Sequence, residues 1–131
     1  MDIASGVNAA KKAADVAVDV ITVIESALKK LKAHIDEVNV EIPFTFAECV
    51  KYFVSHTKGR QDIARGAILR RPVHFDETNR ECWEISLVFL DENDEPICDN
   101  DGIPLGFKTV RAKLDRELEN SFKNNDLIFM E

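Results

Sequence analysis

The chain of 131 residues is 45% hydrophobic and 31% charged, which supplies one buried core and excludes an intrinsically disordered chain. Its net charge of −7 is uneven: residues 1–40 carry −1, residues 41–80 carry +2 and residues 81–131 carry −8. An acidic surface repels phosphate backbones and anionic lipid, so neither nucleic acid nor a membrane is an expected partner.

From the N-terminus, Ile3, Val7, Ala10, Ala14, Ala17, Ile21, Ile24, Leu28, Leu31, Ile35 and Val38 recur at alternating spacings of four and three. Only a helix puts such positions on one face, which predicts a helix from about residue 7 to residue 38. Asp15, Asp19 and Glu25 interrupt its apolar run, so it reads neither as a secretory signal nor as a membrane span. A second stripe, from Ala9 through Val16, Val20 and Val23 to Ala27, widens the apolar face. A helix of that length would extend about 48 Å, against roughly 30–35 Å for a compact domain of this size. The overhang predicts a homodimer held through Ile21, Ile24, Leu28 and Leu31.

A second helix is expected after Pro43, which ends the first. Thr45 and Glu48 have the spacing of a capping box, and Phe44 with Cys49 that of the accompanying hydrophobic staple. Phe46, Cys49, Val50, Phe53 and Val54 form its buried face, and Gly59 suits the reversal that follows. The next stretch, KGRQDIARGAILRR, sets five cations against Asp62. Arg60, Arg65, Arg70 and Arg71 could fork onto a phosphate, a carboxylate or an acidic partner. No GxGxxG or GxxxxGK[ST] pattern accompanies them, so a nucleotide fingerprint is absent.

Three strands should follow. In AILRRPVHF, Pro72 lacks an N–H and marks an edge strand or a bulge. In CWEISLVFL, Trp83, Ile85, Leu87 and Phe89 alternate with polar Glu84 and Ser86, which makes this the central strand, and DETNRE before it is a hairpin loop. IPLGFKTVRA is the third, entered through the turn signal Asp101-Gly102. Between the second and third strands lies DENDEPICDND. If Gly102 were the sixth position of a calcium loop, the first would be Ile97 and the twelfth Lys108, neither of which is the required oxygen ligand. Solvated turns explain its Asp and Asn residues, and Asp91, Glu92, Asp94, Asp99 and Asp101 could dock a basic partner. KLDRELENSF, with Leu114, Leu118 and Phe122 in line, is a short helix ended by Asn124-Asn125, and DLIFM is a final strand. No internal repeat is evident.

The order α-α-β-β-β-α-β predicts an α+β fold: a single domain over residues 1–131, an antiparallel meander with its helices on one face. Cys49, Cys82 and Cys98 are odd in number and widely spaced, as expected of reduced thiols in the cytoplasm. With His34, His56 and His74 they make no zinc-like pair, and no metal, cofactor or catalytic signature is implied. The expectation is a small acidic, non-catalytic protein-interaction module of inhibitor, immunity or assembly-subunit type, self-associating through its first helix. The alternative is a small-molecule or anion-binding domain, or an enzyme, using the basic segment 58–71.

Overall fold

The computed structural model describes residues 10–12, 18–31, 33–34, 40–75, 80–123 and 125–130. The spine is β4 (Arg80–Leu90), antiparallel to β3 (Arg65–Phe75) on one side and to β5 (Gly106–Arg111) on the other. β6 (Leu127–Met130) pairs with the far side of β3. The antiparallel meander of an α+β fold is therefore present. β3 follows β4 along its whole length but meets β6 only from Gly66 to Leu69. Pro72 lies on the stretch that β6 does not reach, so one strand is central at its start and an edge at its end. Of the expected hairpin loop between β3 and β4, residues 76–79 lie outside the described residues.

Alternation along the strands buries both faces of the sheet. Ile85, Leu87 and Phe89 join Ile68, Ile128 and Met130 on one face, under α2 (Phe46–Thr57) and α3 (Arg116–Phe122). The α2 cap has both halves of its box: Thr45 Oγ1 accepts from Glu48 N–H at 3.0 Å, and Glu48 Oε2 accepts from Thr45 N–H at 2.9 Å. Phe44 and Cys49, the staple pair, are buried in the same cluster. α2 lies so close to β3 that a Cβ on Gly66 would sit 2.6 Å from the Phe53 ring, which requires glycine there. Asp115 caps α3 and also accepts from Phe46 N–H at 3.2 Å, tying the starts of the two helices together.

The opposite face is covered differently, and here the sequence expectations need correction. Ala67, Val88, Leu90, Leu127 and Phe129 pack against Ile24 and Leu28 of α1 (Val18–Leu28), so the helices occupy both faces of the sheet and not one. The long N-terminal helix is also not observed. β1 (Ala10–Lys12) pairs antiparallel with β6, and β2 (Ala33–His34) pairs parallel with β5, giving the sheet order β1-β6-β3-β4-β5-β2. The remaining parts of the expected helix, 7–9, 13–17, 32 and 35–38, lie outside the described residues. A four-stranded meander exposes the backbone donors and acceptors of its outer strands. Short segments on either side of α1 satisfy those groups, and heptad spacing carries no information about them.

Candidate functional site

The acidic stretch folds into two consecutive turns built alike. In the first, Asp91 Oδ1 accepts from the N–H of Asn93 at 2.8 Å and of Glu95 at 3.0 Å. In the second, Asp99 Oδ1 accepts from the N–H of Asp101 at 2.9 Å and of Ile103 at 3.0 Å. The backbone bonds repeat as well: Asp91 N–H donates to Glu95 O and Asp99 N–H to Ile103 O, each at 2.9 Å. The third loop residue has φ 61° at Asp94 and 77° at Gly102, the left-handed geometry of a three-residue hairpin loop. Pro96 bridges to Leu90 and Pro104 to Cys98. The pattern Asp-x-Asn/Asp-x-x-Pro thus occurs twice, at 91–96 and 99–104. This short repeat was missed in the sequence because only the two Asp-to-Pro spacings announce it.

Ile97, between the turns, holds them to the sheet. Its N–H donates to Phe89 O at 2.9 Å, and its carbonyl accepts from Leu105 N–H at 2.7 Å. Where β4 and β5 part to admit it, a Cβ on Gly106 would lie 2.3 Å from Leu87 O, so the close approach needs glycine. Of the five acidic residues expected to meet a basic partner, Asp91 and Asp99 hold backbone, and Asp94 forms an ion pair with Arg65. Glu92 and Asp101 are exposed, and Glu95 joins them as a third carboxylate turned to solvent.

The four arginines of the basic segment are not gathered into one patch. Arg60 grips Asp62 in the loop, Nε to Oδ1 at 2.8 Å and Nη2 to Oδ2 at 2.6 Å, holding that carboxyl below its ordinary range. Arg65 lies 3.8 Å over the Phe129 ring beside the first acidic turn. Arg70 is packed between Trp83 at 4.7 Å and Phe122 at 4.6 Å and donates to Asp126 Oδ1 and to the Lys123 carbonyl, both at 3.1 Å. Arg71 donates to both oxygens of Glu84 at 3.1 and 3.2 Å. Each arginine has a carboxylate of its own chain, and alternation sends Arg70 to the face opposite Arg71.

The α1 face of the sheet carries a polar band that sequence reading did not assemble. Ser86 is buried between its cross-strand neighbours Leu69 and Lys108, and on the next rung Glu84 pairs with Arg71. The Lys108 side chain is 9% exposed; its ammonium donates to the Leu28 carbonyl at the end of α1 at 2.6 Å and lies 3.8 Å from Glu84 Oε1. These residues floor a cleft of about 420 Å³ beside Glu25 and Lys29. On the opposite side of the molecule, Phe46, Val50 and Val54 line an apolar groove of about 370 Å³.

Ile24 and Leu28, expected in a dimer interface, are 0% and 4% exposed against the chain's own sheet, and Leu31 packs on the same cluster. They pack in this domain's own core, and the Ile21 side chain lies outside the described residues. Cys49 lies on the buried face of α2, and burial pushes its thiol well above the usual range. Cys82 is buried and Cys98 exposed. His56 lies on Tyr52, its Nδ1 2.8 Å from the Tyr52 carbonyl, and His74 is exposed. Among the described residues, no three of His, Cys, Asp and Glu are placed to hold a metal ion, and no helix is long and apolar enough to cross a membrane. Comparison with protein-family models, curated proteins and solved structures finds no match, so the functional reading rests on this chain's own residues.

Proposed function

We propose that the chain is an acidic protein-interaction module, acting by binding and not by catalysis, that docks a lysine- or arginine-rich protein surface on its double hairpin. The observation that supports this is the repeated turn. Asp91 and Asp99 fix two loops by the same bonds, so Glu92, Glu95 and Asp101 stand on backbone that needs little ordering when a partner arrives. Ile103, 41% exposed at the second turn, offers an apolar contact beside the charges. A surplus of carboxylates steers a basic partner and fixes its register more than it adds affinity. Self-association through α1 is not part of this reading, because Ile24 and Leu28 are engaged within the domain.

The test compares two triple variants of equal net charge against a basic peptide by calorimetry. Reversing Glu92, Glu95 and Asp101 to Lys should weaken binding by about tenfold or more, the scale of a few charge-assisted contacts. Reversing Glu81, Glu117 and Glu119, which are exposed elsewhere, should weaken it far less. Equal losses would show that net charge alone attracts the peptide and would overturn the hairpin as a docking surface.

A further inference from the structure

We infer that the cleft on the α1 face is a binding site for a small amphipathic organic anion, a carboxylate with an apolar body. This rests on no part of the hairpin reading. The first argument is the position of Lys108. A lysine with only 9% of its side chain exposed is seldom placed in a protein interior without a specific electrostatic role. An ammonium carries three donors. Among the described residues, Leu28 O takes one at 2.6 Å, while Glu84 at 3.8 Å lies beyond hydrogen-bond length. Donor capacity therefore remains at the floor of a cleft of about 420 Å³, a size suited to a small organic ligand.

The second argument is charge. Lys29, Arg71 and Lys108 border the cleft against Glu25 and Glu84, while Arg70 and Asp126 neutralise each other across 3.1 Å. In a chain of net charge −7 this concave surface has a surplus of one cation, which matches a single negative charge. Arg71 engages Glu84 at 3.1 and 3.2 Å, so the carboxylate nearest Lys108 is already compensated and does not oppose an incoming anion. The buried Ser86 hydroxyl lies on the same rung as Lys108 and can donate to a second oxygen.

The third argument is the lining. Leu28, Leu69 and Pro72 supply apolar wall beside the polar floor. An anion without a hydrocarbon body would leave that wall wet, whereas a carboxylate on an alkyl or aryl body covers it and sets its head on Lys108.

Octanoate, octanol and octyl phosphate titrated into the isotope-labelled full chain test this by amide chemical shifts. Octanoate should give saturable shifts at Leu69, Ser86 and Lys108, and octanol should leave them unmoved. Arg71→Gln, at a side chain 64% exposed and so tolerated by the fold, should weaken octanoate binding by about tenfold. Four results would overturn the assignment: no saturable shift with octanoate, equal response to octanol, shifts centred on Val50 and Val54, or binding of octyl phosphate with none of octanoate. The last would make the cleft a phosphate site.

Discussion

The two faces of β4 come from one strand and one alternation, yet they are closed in different ways. On the face under α2 and α3, Phe46, Phe53, Phe89, Phe122, Ile85 and Leu87 are at most 1% exposed and form one continuous cluster. On the other face, the group around Ile24 and Leu28 is separated from a small group of Val40, Cys82 and Val110 by Glu84, Ser86, Lys108 and Arg71. Length accounts for the difference. The eleven residues of β4 run about 36 Å, and the eleven of α1 only about 16 Å. Among the described residues α1 is shorter than that face, and a band of polar side chains, with Arg71 paired to Glu84 and Lys108 bonded to Leu28 O, occupies the rest. The sealed face is one continuous apolar cluster, and the divided face holds the cleft of about 420 Å³.

This contrast can be broken most directly at Phe53. Phe53→Ala removes a fully buried ring from the sealed face and should cost about 3–5 kcal/mol in denaturant unfolding. A loss below about 1 kcal/mol would mean that the aromatic cluster is not the main source of stability. Lys108→Met keeps the volume but loses the bond to Leu28 O, while Glu84 keeps Arg71; the expected loss is about 1–3 kcal/mol. If it equalled the Phe53 loss, the polar band would be a structural support and the distinction between the faces would fall.

The smallest effect concerns pH. Burial raises the Cys49 thiol, so the folded chain keeps a proton that the unfolded chain releases above about pH 8.5. The associated stability is intact below that pH and is lost as pH rises, by at most about 1.4 kcal/mol per pH unit. Unfolding midpoints between pH 7 and 10 should fall with pH in the parent and fall less steeply in Cys49→Ala. Identical slopes would show that the sealed face is wetter than its geometry indicates.

What could be read from the sequence was local. Thr45 and Glu48 announce their own cap, Leu118 and Phe122 mark one side of a short helix that starts at Arg116, after Leu114 and its cap Asp115, and the alternation of β4 survives because each residue reports its own burial. What could not be read depends on partners far along the chain. Spacings of three and four at 7–38 fit a helix, but sheet edges claim Ala10–Lys12 and Ala33–His34. Lys108 meets Ser86 only through the register of β5 on β4. The one local hint was that Glu84 and Ser86 share a face with Val88 and Leu90, a change of polarity along a single strand. Likewise, the basic segment and the acidic stretch looked like two surfaces for partners, whereas Arg65 and Asp94 pair with each other.

The pairing of β1 with β6 also has a consequence in time. Ala10 is matched to Met130, so about 120 positions separate the two strands. At a synthesis rate of about 5–20 residues per second, β1 waits roughly 6–24 s before its partner exists. Until then the first strand is an unsatisfied edge in search of backbone, and a matching one is offered only by a copy already synthesised through β6. The same clasp that finishes the sheet is thus the step at which two chains can exchange arms.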